Sequence, residues 1–299
     1  TIAIAATGFG LRADATRRLA MPEEHPTFDV HLVADPSLRP SALIPAIAER
    51  SVQRQPFGSR RLTAAEESAL GAALAPGFSL QWHEGIGPRW RMAMLMFHNA
   101  KLRLTMHEAY LVHRDVIAWR RRFSEDRVPD QALGADPLAL RLMRWAMQDW
   151  SRVRFLNRWL AGTWLPRLQM DLLPGLRCGA HFVLMADRPP RTIDDYVTSG
   201  RQVQRLWLTA TRLGLQQQPE ITPLVFSRYV REGRPFTSSR QAQALARRLA
   251  ATLEAVIGPD LSRAVWIARI GHAPRASSRS VRRSLHELMD TSPSDMSQR

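Results

Sequence analysis

"AHFVLMAD", Ala180–Asp187, is a continuous apolar run of strand length, and its reading decides the fold. A run of this kind belongs in the middle of a sheet covered on both faces. Next in the chain comes "DDYVTSGRQVQRLWLTATRLGLQQQP", Asp194–Pro219. Thr192 and Asp195 have capping-box spacing, and Tyr196, Val203, Leu206, Trp207, Ala210 and Leu213 recur at helical intervals. Gly214 is placed to end that helix in a left-handed turn, so its polar exit at Gln218, Pro219 and Glu220 is the part left for a ligand.

Working outward, Thr1 to about Leu19 reads as a helix and "TFDVHLVAD" as a half-buried strand, from Phe28, Val30 and Leu32. Leu43, Ile44 and Ile47 predict a helix ending near Arg50. "TAAEESALGAAL" opens with a capping box at Thr63 and Glu66, and "FSLQWHEG" alternates as a strand. Pro88 to about Arg122 has one long helical spacing. "SEDRVPDQALGADP", Ser124–Pro137, is polar and broken by Gly and Pro, as a flexible connection or lid would be. The Trp- and Leu-rich stretch from Pro137 is helical with a break near Gly162. Its Trp145, Leu156, Trp159 and Leu160 are expected in the core. A helix from Ser238 to about Val256 and the strand "AVWIARIGHA" follow, and "TSPSDMSQR" is expected to be a disordered tail. Long helices with few, widely spaced strands predict an α+β fold, a modest central sheet covered by helices.

The net charge of +15 comes almost wholly from arginine, with Lys101 the single lysine. The arginines are dispersed, so nucleic acid is not expected as a partner, whereas a few well-placed guanidinium groups suit a small phosphorylated ligand. No run reaches the roughly 18 apolar residues of a spanning helix. The single cysteine, Cys178, permits no intrachain disulfide and fits a cytoplasmic setting. No phosphate loop, G-x-G-x-x-G after a strand, or G-x-S-x-G elbow is present. His107 and His113 are six residues apart and do not share a helix face for a metal.

Three polar clusters remain: "ERSVQRQPF" (Glu49–Phe57), the "GLQQQP" exit, and "RASSRSVRRSLHEL" near the C-terminus. In order and spacing, "AIAERSVQRQPF", "GRQVQRLWLTATRLGLQQQP" and "WIARIGHAPRASSRSVRRSLHEL" together resemble the FMN-dependent nitroreductase superfamily, in its long single-chain, Acg-like branch. That resemblance implies a nitroreductase-like α+β fold with a mixed, mostly antiparallel central sheet. It also implies FMN as cofactor, with Arg50, Ser51 and Arg54 on its phosphate and ribityl chain. Arg282 and Arg283 would close on the phosphate, and the backbone around Gln218, Pro219 and Glu220 would meet the isoalloxazine edge. The activity implied is hydride transfer from NAD(P)H through flavin to a nitro-aromatic, quinone or similar electron-poor substrate, with no catalytic side chain required. A catalytically inactive flavin-binding, storage or accessory domain of a larger protein is the alternative. A homodimer or an internal pseudo-dimer is the expected assembly.

The sequence departs from the family pattern at Val52, where a Ser or Thr is usual, and at Val281 and Ser284, where prolines are. The family's early Pro-Ser-x-x-Asn and Gln-Pro segment is absent. Residues 1–38 are therefore expected to be a partial first half, 39–290 the nitroreductase-like domain and 291–299 a tail, as in a fragment or the C-terminal part of a larger polypeptide.

Overall fold

The structure, a computed structural model, describes residues 1–159 and 162–289 of the chain. Helix α1 (Ile2–Ala6) and a 3-10 turn end at Gly10, whose φ of 64° is left-handed. The helix expected to continue to Leu19 does not form. Leu11–Arg17 is instead β1, paired antiparallel with β2 (Phe28–Ala34). Gly10 takes the left-handed turn without a Cβ clash, and beyond it Arg12, Asp14 and Thr16 alternate with Leu11, Ala13 and Ala15 at the strand period. The strand expected at Phe28 is present but not half-buried, since Val30, Leu32 and Val33 are exposed.

Helix α2 (Ile44–Glu49) precedes α3 (Ala64–Ala72), which begins in the expected capping box of Thr63 and Glu66. Strand β3 (Phe78–His83) leads to α4 (Ile86–Thr105). The long helix expected to reach Arg122 stops at Met106, whose backbone is extended, and restarts as α5 (His107–Val116). Beyond α5 come the short strands β4 (Ile117–Ala118) and β5 (Phe123–Ser124), and the segment read as a lid, Ser124–Pro137, contributes β6 (Val128–Pro129), which pairs in parallel with β4. Buried Asp130 fixes it, accepting from the backbone N–H groups of Arg120, Arg121 and Gln131.

Asp136 caps α6 (Pro137–Ala146), followed by α7 (Trp150–Trp159) and α8 (Trp164–Arg167). A π turn over Leu168–Leu172 joins α8 to α9 (Leu173–Leu176). Leu156 is buried as expected, but Trp145 and Trp159 are 43% and 68% exposed. Helical spacing puts these residues on one stripe without specifying that anything covers it. Leu160 lies outside the described residues, as does the expected tail.

Strand β7 (Ala180–Ala186) is buried at every position. After it come α10 (Ile193–Arg212), β8 (Leu215–Pro219), α11 (Thr222–Arg231) and α12 (Arg240–Ile257). Strand β9 (Ala264–His272), β10 (Arg279–Ser280) and α13 (Leu285–Leu288) complete the described chain. The expected cap of α10 forms between Thr192 and Asp195, and Gly214 turns its end with φ 75°.

The central sheet runs β3–β7–β9–β8, antiparallel throughout, and a parallel bridge between Val52 and Gln217 extends its β8 edge. Strand alternation sends Phe182, Ala268 and Ile270 toward Leu206 and Ala210 of α10. It sends Val183, Met185 and Ile267 toward Met92 and Leu95 of α4 and Leu253 and Ile257 of α12. The fold is thus the expected α+β arrangement, with helices on both faces of an antiparallel sheet. The exit "LQQQP" is the edge strand β8 rather than a loop, which places Gln218 at a sheet position.

Candidate functional site

Strand register lines up His83, His181, Arg269 and Gln218 in one row across all four strands. Partners in register share a face, and this face is the one covered by α4 and α9. Gly175 of α9 makes the cover possible, because a Cβ there would stand 2.8 Å from the Cβ of Ala93 on α4. Its carbonyl accepts from His181 Nε2 at 2.8 Å. Cys178 is fully buried and donates to the same carbonyl at 3.2 Å.

Arg269 is 1% exposed. Its Nε donates to Gln218 Oε1 at 2.8 Å and its Nη1 to the carbonyl of Pro174 at 3.3 Å. Nη2 donates to the carbonyls of Arg54 and Gln55 at 2.8 and 3.0 Å, and the guanidinium lies 4.0 Å from the ring centre of Phe57. Burial pulls its pKa down to about 10, against the pull of Glu220, Cys178 and Asp171, so it stays charged at neutral pH. The side chain thereby fastens β8, α9 and the 54–57 loop to the sheet.

His181 is fully buried, with Nδ1 2.7 Å from Glu220 Oε2. Burial is the largest single influence and disfavours the imidazolium, but the Glu220 carboxylate and Cys178 together hold the pKa well above the usual histidine range. The geometry agrees, for a carboxylate and a carbonyl are both acceptors and only the doubly protonated ring donates to each.

Beyond Gln218 and Glu220 the row opens into a cavity of about 280 Å³. Arg54, Gln218, Pro219 and Glu220 form one wall, and Asn99, Arg103 and His113 from α4 and α5 another. Asp171 of the π turn projects between them. Burial raises its carboxyl to about 6, and burial with the neighbouring Arg103 lowers His113 to about 4. A raised carboxyl binds its proton more tightly folded than unfolded, so Asp171 stabilises fully below its unfolded value near 4 and loses that stabilisation as pH rises through about 6. Asp171→Asn is therefore expected to gain about 1–3 kcal/mol in urea unfolding at pH 8. The gain should shrink steadily below pH 6, and a gain independent of pH would contradict the assignment.

The residues expected at a site divide between two places. Arg54, Gln218, Pro219 and Glu220 meet at the cavity. Arg50 lies instead against α10, its guanidinium 4.5 Å from the Trp207 ring centre and its Nε buried without a partner among the described residues. Arg282 donates to the Ile47 carbonyl at 2.9 Å, close enough to Arg50 that, after burial, it is the second influence lowering the Arg50 pKa. Arg283 is exposed, and Ser51 is half-buried beside Val52. The expected backbone donor at Glu220 is already used, its N–H donating to Ile267 at 2.8 Å. Gln218 supplies one in its place: Arg269 holds its carbonyl oxygen, which leaves the amide nitrogen without a protein partner among the described residues.

Asn99, Arg103, Asp171, His181 and Arg269 were not read as site residues. An ionisable residue inside an apolar strand, as in "AHFVLMA" and "WIARIG", is the signal that marks two of them. Among the described residues no group of three His, Cys, Asp or Glu side chains is placed to hold a metal, and no helix is long and apolar enough to cross a membrane.

No family model and no curated protein matches the chain. Solved structures are similar in overall arrangement. A nitroreductase-like family protein from Bacillus cereus shares 15% identity over 85% of this chain and 97% of its own, with a TM-score of 0.40. A nitroreductase with bound FMN from Bacteroides fragilis shares 8% over 84% and 98%, with a TM-score of 0.44. An FMN-dependent nitroreductase from Mycobacterium smegmatis in complex with NADPH shares 16% over 83% and 96%, with a TM-score of 0.43. At TM-scores below 0.5 these likenesses transfer no residue role. The solved structures named here to which the chain is similar are nitroreductase-like proteins.

Proposed function

We propose that the protein is a nitroreductase-like flavin oxidoreductase, with the cavity beside β8 as the flavin-facing part of its site. The observation that carries this reading is the meeting of Arg54 with Gln218, Pro219 and Glu220. Two clusters far apart in sequence, both named by the family resemblance, come together there. The donor set fits a polar heterocycle: a free Gln218 amide, the Arg54 guanidinium, and an apolar lining that includes Met96, Met170 and Pro219. The cations expected on the phosphate divide, with Arg50 and Arg282 together on the α10 side and Arg54 at the cavity. When bound, FMN would relay hydride from NAD(P)H to a nitro-aromatic, quinone or similar electron-poor acceptor. The chain's own part is to position Gln218 through Arg269 and to exclude water behind Ile117, Val128 and Leu133.

Purified protein should show a flavin band that NAD(P)H bleaches without oxygen and a nitro-aromatic or quinone restores. Arg54→Ala is expected to weaken FMN binding at least tenfold with little change in melting temperature, and exposed Arg283→Ala by less than threefold. Equal effects would remove Arg54 from the flavin. The cover over the cavity favours the storage or accessory reading as second choice, and bound flavin that NAD(P)H cannot reduce would select it. A cytoplasmic protein that is a homodimer or an internal pseudo-dimer belongs to the same proposal and is tested by sedimentation and cell fractionation.

A further inference from the structure

The β8 wall of the cavity serves the flavin reading, and the α4–α5 wall is left over. On it Asn99 is 2% exposed; its Nδ2 donates to Leu95 at 2.9 Å, while its Oδ1 is buried without a partner among the described residues. Arg103 Nε, on the same wall, is likewise buried and unpartnered. Buried polar atoms of this kind are rare unless a ligand or water supplies the missing partner. Arg54 and Arg103 are the cations on the lining, facing the carboxylates of Asp171 and Glu220, and Glu220 is already engaged by His181 at 2.7 Å. Arg103 is thus the lining cation on the α4–α5 wall.

Behind this wall lies a second space, an apolar cleft of about 360 Å³ between α6, α7 and α8. Leu142, Ala146, Val153, Leu156, Trp164 and Leu165 line it. Leu104, Met143, Met147 and Pro166 line both spaces, so the two lie back to back across one partition. Half of that partition is methionine, an unbranched side chain that shifts among rotamers readily.

We propose that cavity and cleft form one binding site for an amphipathic organic anion. Its carboxylate is held by Arg103, a hydroxyl or N–H beside the carboxylate donates to Asn99 Oδ1, and its apolar tail lies in the cleft. This names the substrate side of the flavin site and rests on that reading only for the chemistry that follows binding.

The test is calorimetric titration of the purified chain, flavin content measured by absorbance in the same sample, with alkyl ligands kept below micelle concentration. Decanoate should bind more tightly than butanoate by about threefold for each added methylene. Decanol and decylammonium should bind at least tenfold more weakly than decanoate, and 3-hydroxydecanoate more tightly. Arg103→Gln should bring decanoate to the level of decanol while keeping the dependence on chain length. Met147→Trp should weaken decanoate and spare butanoate. Equal affinity for decanoate and decanol, or for decanoate and butanoate, overturns the proposal, and this comparison needs no variant to fold. Bound flavin without carboxylate preference overturns this inference alone. Carboxylate preference without flavin supports it and removes the flavin reading instead.

Discussion

Arg269→Met should cost about 3–5 kcal/mol in equilibrium urea unfolding, among the largest losses any single substitution in this chain produces. The side chain is buried and its hydrogen bonds go to Gln218 and to the carbonyls of Arg54, Gln55 and Pro174. Methionine matches its length but donates to none of them, so buried acceptors on three separate segments lose their partner at once. The exposed pair of Arg275 with Glu49 provides the contrast, 2.7 Å long with side chains 67% and 38% exposed. Arg275→Ala should change stability by less than about 1 kcal/mol. A cost below about 1 kcal/mol for Arg269→Met would show that the row does not hold the 54–57 loop. Because Arg269 also fixes the Gln218 carbonyl, the proposed flavin site implies that the variant loses flavin affinity even under conditions where it stays folded.

Glu220→Gln is expected to cost about 3–5 kcal/mol near pH 6, through a different route. The substitution leaves His181 fully buried and facing a neutral amide, so its charged form loses the carboxylate that offset burial. In the unsubstituted protein the folded pKa of His181 lies above the unfolded value of 6.5. The contribution of the pair is therefore complete below 6.5 and is lost as pH rises through the folded value. The difference between the two proteins should shrink from pH 6 toward pH 10. Imidazole NMR should show His181 doubly protonated at pH 7 in the unsubstituted protein and neutral in the variant. A difference constant across that range would mean that the folded pair holds no extra proton, with ionised Glu220 beside a neutral histidine.

How much of this was legible in the sequence depends on how local each feature is. The capping boxes at Thr63 and Thr192 need only four consecutive residues, and both form as read. The apolar run of β7 sits at the centre of the sheet because nothing but a doubly covered strand suits it. The reading of Thr1–Leu19 as one helix failed at a single left-handed glycine, beyond which the period changes from helical to alternating. Trp145 and Trp159 recur correctly for a helix face, but coverage is a tertiary property that spacing does not carry. The polar row is the least local of all. His83, His181, Gln218 and Arg269 become neighbours only when three strand registers are set, and no window of sequence contains two of those registers. Gln218 and Glu220 were picked out by resemblance, whereas Arg103 and Asn99 look in sequence like ordinary residues of an amphipathic helix.

Strand β9 lies inside the sheet, between β7 and β8, although it is the last of the four to be made. While a ribosome is still extending the chain, β3 and β7 can pair, but β8 has only its bridge to Val52, and no strand beside it, until Ala264–His272 has left the exit tunnel. Until then β7 presents a strand apolar at every position but His181 with one edge open, an arrangement prone to pairing with another nascent chain. Arg269 arrives within that same late segment, so closure of the sheet and completion of the polar row are one event. A newly made molecule therefore gains its cavity and loses its sticky edge together, within the time needed to translate about nine residues.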